Sequence, residues 1–188
     1  MTHPLEKVYG LTATELLDAL SRRFRAKVAL EGAVAEVHME RKLKAAQRAG
    51  AVSKYVSHDI DGHPDFSIWL PGRKKVLLAE CKTVRDSNEA FRSGGKITAY
   101  KVETQKTRAS QGDPSSRFYG VDQFDILGVC LGKKTGRWDE FMFILSSKLA
   151  RHASYPNKLA VMHRVPLPAA TNVAPWFRDI GELLRTLR

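Results

Sequence analysis

The segment that most restricts the fold of this 188-residue chain is Phe124-Asp125-Ile126-Leu127-Gly128-Val129-Cys130-Leu131. All but Asp125 and Gly128 are apolar, yet the run is far too short to cross a bilayer, which takes about 20 residues as a helix. A nearly continuous apolar stretch of this length reads as a central strand buried on both faces, and such strands sit in sheets covered on both sides. Phe141-Met142-Phe143-Ile144-Leu145 follows a turn at Gly132 to Gly136 and predicts a neighbouring strand. Upstream, Phe66-Ser67-Ile68-Trp69-Leu70, the turn Pro71-Gly72-Arg73-Lys74 and Val76-Leu77-Leu78-Ala79 predict a hairpin.

Helical signals flank this strand group. Thr12 or Thr14 is a cap for a first helix, with Leu11, Leu16, Leu17 and Leu20 at helical spacing. A second helix is expected from about Ala29 to Arg48, stopped at Gly50, and a last one from Trp176 to Leu187. Residues 85–96 read as a loop, and residues 97–109 fit either helix or strand. Helices, then strands, then a helix predict one α/β domain over residues 1–188, a central mixed sheet flanked by helices, with its core in about 31–131 and a C-terminal strand and helix in 139–188.

Composition sets the remaining bounds. Hydrophobic residues at 43% and charged residues at 27% are enough for a packed core. Two cysteines, Cys81 and Cys130, supply neither a disulfide framework nor a four-ligand zinc site. The N-terminus lacks a signal-peptide pattern, so a cytoplasmic chain with no membrane partner is expected. The formal charge is +11, and it is uneven. Residues 21–50 hold eight basic against three acidic residues, and residues 71–120 eleven against five. Clustered Lys and Arg favour a polyanion, because each one set against a phosphate releases condensed counterions.

The chemistry concentrates at Pro64-Asp65 and Glu80-Cys81-Lys82. In a tight hairpin the start of the first strand lies beside the end of the second, so Asp65 and Glu80 become neighbours. Glu80 and Lys82 are two apart on a strand and share a face, while Cys81 points to the opposite side. Two carboxylates and a lysine would then meet at one end of the sheet. Hard carboxylate oxygens suit Mg²⁺, which keeps waters and takes its remaining ligands from phosphate. Asp59-Ile60-Asp61-Gly62-His63 is not a calcium loop, since Pro64 and Leu70 stand where a glycine and an acid are required. Asp61 could still lend the site charge, and His63 beside Pro64-Asp65 is a further residue to place. Gly94-Gly95-Lys96-Ile97 is not a phosphate loop.

Pro64-Asp65, fourteen residues, then Glu80-Cys81-Lys82 resembles the PD-(D/E)xK nuclease superfamily. The resemblance spans residues 31–131 and implies a restriction-endonuclease-like fold, with Asp65 and Glu80 as metal ligands and Lys82 as the catalytic lysine. It implies a further glutamate from the preceding helix, ligating directly or through water; Glu36 is favoured and Glu40, one turn on, is the alternate. It also implies Mg²⁺ as cofactor, with Mn²⁺ substituting, and cleavage that leaves 5′-phosphate and 3′-hydroxyl ends. The basic segment after the lysine strand would lie along DNA, with Gln105, Lys106, Arg108, Arg117 and Tyr119 as contacts.

The expected function is a Mg²⁺-dependent DNA endonuclease of restriction or phage-defence type, a homodimer if it cuts both strands. Repair and junction-resolving nucleases of the same fold are alternatives. A non-catalytic nucleic-acid-binding module is a second class. A protein-interaction subunit is a third, and it would need a sizeable exposed apolar patch.

Overall fold

The computed structural model describes residues 2–60, 62–86, 88–106 and 112–187. The chain divides into two compact units, Met1–Val34 and Ala35–Arg188. The first holds α1 (Pro4–Tyr9), α2 (Ala13–Ser21) and the opening turns of α3 (Phe24–Arg48). His3 with Glu6, and Thr12 with Glu15, form reciprocal capping boxes that satisfy the first free amides of α1 and α2. The helix expected from Ala29 already begins at Phe24, since nothing in Phe24-Arg25-Ala26-Lys27-Val28 resists helical geometry.

The second unit is a mixed α/β assembly. Strands β1 (Lys54–Ser57), β2 (Phe66–Trp69), β3 (Val76–Thr83), β6 (Ile126–Cys130) and β7 (Phe141–Leu145) form a five-stranded sheet in the order β1-β2-β3-β6-β7. All its neighbours are antiparallel except β3 and β6. Strands β4 (Ala90–Ser93), β5 (Lys96–Glu103) and β8 (Met162–Val165) form a separate antiparallel sheet in the order β4-β5-β8.

Side-chain alternation sorts the large sheet into two faces. Ala79 and Cys81 on β3, Ile126 and Cys130 on β6, and Phe141 and Phe143 on β7 pack with Met39 and Leu43 of α3. Ile180, Leu183 and Leu184 of α5 (Ile180–Arg185) join the same cluster. Leu127, Val129, Met142 and Ile144 point the other way and pack with Val102 and Val165 of the small sheet. Strand β6 is therefore buried on both faces, as its apolar run predicts. Its one charged neighbour, Asp125, is a latch: Oδ2 accepts from the Leu78 amide at 2.9 Å and Oδ1 from Lys75 Nζ at 2.8 Å.

Gly128 is required by a close approach. A Cβ there would lie 2.9 Å from Met39 Sδ and 3.1 Å from Phe143 Cε1.

The small sheet corrects the sequence reading. Residues 85–96 are no simple loop, and residues 97–103 are strand. Gly94 and Gly95, both at positive φ, turn β4 directly into β5. Consecutive left-handed residues are what a two-residue hairpin turn demands. Strands β1 and β8 were hidden by their brevity. The final helix is shorter than residues 176–187, because Phe177 is held in a backbone bridge to Phe143 and helix starts only after the Asp179 cap.

Candidate active site

Asp65 directly precedes β2, and Phe66 pairs with Ala79, so the hairpin register sets Asp65 opposite Glu80. The contact is tight: Asp65 Oδ2 accepts the Cys81 amide at 2.7 Å. On the other side of the chain, Asp65 O accepts the His58 amide at 2.8 Å and fixes the entry to the strand. Glu80 and Lys82 share the face of β3 turned away from α3, while Cys81 is buried among the core residues on the helix face. This is the polarity that the strand alternation predicts.

The cluster is short of water. Glu80 is only 4% exposed. Its Oε1 accepts two hydrogen bonds of 2.5 Å, one from Lys82 Nζ and one from the Tyr119 hydroxyl. Lys82 Nζ also sits 5.5 Å from the centre of the Tyr119 ring, within cation–π range. Burial pushes the Asp65 carboxyl up to about 7, and the Glu80 charge adds to that, while the Cys81 amide and Lys82 pull it back. For Lys82, burial favours the neutral amine, but Glu80, Tyr119 and Asp65 outweigh it and hold the ammonium above the ordinary lysine range. Burial likewise raises the Tyr119 hydroxyl, with Glu80 pushing the same way. Tyr119 is thus a neutral donor and Lys82 a fixed cation.

The two helix acids part company. Glu36 is exposed to solvent, yet surrounding atoms partly desolvate it and raise its carboxyl. Lys82 lowers it, while Glu80 and Asp59 raise it further. Its charge is also felt at Asp65. Glu40 instead accepts the Tyr55 hydroxyl at 3.3 Å. Among the described residues, no three His, Cys, Asp or Glu side chains converge as a ready metal-ligand set. The donor set that does converge is Asp65 with Glu80, two hard carboxylates whose mutual repulsion a cation would relieve. Such a pair fits Mg²⁺, which draws most of its ligands from water and phosphate.

The expected nucleic-acid contacts separate into three groups. Gln105 and Phe118 form a backbone bridge, and the Lys106 amide donates to Arg117 O at 2.8 Å, so these segments run side by side. Arg117 is exposed, and Gln105 and Lys106 are half-buried. Tyr119, expected on that basic face, is instead 7% exposed, with its hydroxyl turned in to Glu80. Its place follows from packing against Phe124 in the core, which no local pattern announces. Arg108 and Asp61 lie outside the described residues.

Sequence reasoning also missed His58. Its Nε2 is 2.9 Å from Ser67 Oγ, and its ring centre is 4.3 Å from that of His63, whose Nδ1 meets Pro64 O at 2.8 Å. The two rings brace the backbone that delivers Asp65.

Neither a known family nor a curated protein matches this chain. Among solved structures, it is similar to a bacterial homing endonuclease, I-Ssp6803I, at 16% sequence identity and a TM-score of 0.48, over 85% of this chain and 91% of that one.

Proposed function

We propose that this chain is a Mg²⁺-dependent DNA endonuclease with its active site at Asp65, Glu80 and Lys82. The observation that carries the reading is the convergence itself: two carboxylates and a lysine are drawn together, largely out of water, at the open end of one hairpin, where burial raises the Asp65 carboxyl. A structural role would not call for that arrangement, because an apolar pair of the same size would pack at lower cost.

Asp65 and Glu80 would hold the ion, with Glu36 supporting it directly or through water. Bound there, Mg²⁺ would acidify a water and draw charge from the scissile phosphate. The rest falls to the side chains. Lys82, kept protonated, orients the attacking water and faces the negative charge that builds on the phosphoryl oxygens. The water's proton passes to solvent. Tyr119 and Lys82 together fix Glu80 in one rotamer. In-line attack forms the new P–O bond and breaks the bond to the 3′ oxygen, which takes a proton from solvent to leave as a hydroxyl and strands a 5′-phosphate.

DNA is the substrate that the charge favours. The β4–β5 hairpin and the neighbouring β8 turn outward a basic, aromatic-backed face: Arg164 of β8 stacks 4.3 Å from the Phe91 ring centre and Lys101 lies 5.3 Å from it, with exposed Arg92 at the turn. A two-stranded ribbon of this kind fits the major groove. We assign the enzyme to restriction or other phage defence in the cytoplasm, because a compact chain that carries its own groove-sized ribbon can read bases unaided.

The test is cleavage of supercoiled and linear DNA with Mg²⁺, with EDTA, and with Lys82→Ala. Metal-dependent cutting that the variant loses is expected, with discrete bands if the sequence is read. Tight, salt-sensitive binding without cutting would replace the enzyme with a binding module.

A further inference from the structure

Of the eleven large apolar side chains left exposed among the described residues, eight belong to the unit Met1–Val34. Phe24 is 75% exposed, Val8 69%, Tyr9 63% and Leu17 57%, with Leu5 and Val28 close behind. No described residue of that unit is buried. Yet α1 and α2 are 6 and 9 residues long, each with a complete capping box. Helices shorter than about 12 residues do not hold in water by themselves, so capped helices this short imply a cover.

We propose that the cover is the same unit of a second copy of this chain, and that Met1–Val34 is a homodimerisation surface. Charge is the first support. Residues 1–20 carry Glu6, Glu15 and Asp18 against one lysine, whereas Arg22, Arg23, Arg25 and Lys27 follow before the next acid, Glu31. A two-fold axis sets the acidic half of one copy on the basic half of the other, twice over. The balance of the unit, five basic against four acidic residues, also argues against nucleic acid as the occupant, since the rest of the chain carries almost all of the positive excess.

Area is the second support. Taken at about 200 Å² per fully exposed large side chain, the eight exposures come to roughly 800 Å², the share each partner gives to a standard stable interface. Dimerisation here does not depend on whether the Asp65–Glu80–Lys82 cluster cleaves anything, so the two readings fail separately. If both hold, the dimer supplies the second cluster that cutting both strands requires.

The experiment is light scattering on the full chain at several concentrations, without DNA or metal. The wild type is expected at the mass of two 21.1 kDa chains, and to stay dimeric in high salt. Leu17→Glu with Phe24→Glu should be monomeric yet keep a cooperative thermal transition from the unit Ala35–Arg188, while Phe24→Leu remains a dimer. Asp18→Lys, at an exposed position that folding does not need, should weaken the dimer about tenfold. A wild-type monomer at every concentration overturns the proposal, as does a dimer indifferent to all three variants. So does a monomer that pellets with phosphatidylserine vesicles through Leu17 and Phe24, or whose grip on duplex DNA those residues supply.

Discussion

Two hairpins lie in the same unit and differ in almost everything that matters for chemistry. The β2–β3 hairpin is sunk between α3 on one side and the small sheet on the other, and it carries its charges inward. The β4–β5 hairpin has one covered strand and one open one, and it carries its charges outward. Both are antiparallel pairs of a four-residue and an eight-residue strand, joined by six residues in the first and two in the second, so strand geometry does not separate them. Burial does. A carboxylate or ammonium denied water must find a partner, and its protonation becomes tunable, which suits bond making. A guanidinium left in water keeps its charge and its reach, which suits binding.

The comparison breaks first, and most visibly, at Lys82. Lys82→Ala and Lys82→Met are each expected to lower cleavage by at least about 10³-fold while leaving DNA binding within a few fold, as read by single-turnover cleavage and by gel shift. An equal loss from a double substitution on the outer hairpin would erase the distinction between the two.

Asp65 offers the converse. Its carboxyl sits at about 7 in the folded chain against an ordinary 3.8, so the folded state keeps a proton that the unfolded chain releases between those values. Metal-free stability should therefore decline as pH rises through that window. Asp65→Asn should stabilise the metal-free protein at pH 8 by about 1–3 kcal/mol, measured by urea unfolding, while abolishing cleavage. Wild-type cleavage should fall as pH drops below about 7, with a midpoint that moves lower as Mg²⁺ is raised, because the ion and the proton compete for one carboxylate. A flat stability profile would remove Asp65 from the set of groups strained by burial.

Tyr119→Phe removes one of the two hydrogen bonds on Glu80 Oε1 and leaves the ring under Lys82. A roughly tenfold drop in kcat is expected, with KM for DNA unchanged, in keeping with a hydrogen bond to a charged group. The smallest effect belongs outside. Arg164→Ala should weaken binding about two- to fivefold and reduce the salt slope by about one, with kcat intact.

The sequence made the inward hairpin legible and the outward one obscure, for a physical reason. Pro71-Gly72 announces the β2–β3 turn, apolar runs mark both strands, and period-two alternation puts Glu80 and Lys82 on one face. Strands β4 and β8 are short, polar and half-exposed, so no apolar pattern marks them. Strand β8 pairs with β5 only after some sixty intervening residues (Val102 with His163). Gly94-Gly95 was the available signal for the second hairpin, and its neighbours Arg92 and Lys96 disguised it as a loop. Tyr119 lies thirty-nine residues from Glu80 along the chain, and no spacing rule joins them. The helix acid sits between these extremes. Glu36 and Glu40 share a face and a periodicity, and it takes Tyr55, on a strand too short to anticipate, to draw Glu40 aside.

Gly128 has a bearing on that same acid. The missing side chain lets Met39 settle directly onto the central strand, and Met39 is three residues, less than one turn, from Glu36 on a rigid rod. A Cβ at position 128 would press on Met39 Sδ and Phe143 Cε1, so an alanine there must first displace those two side chains, one of them on the helix that carries Glu36. The seat of the helix that carries this acid is thus set by a position with no chemistry of its own.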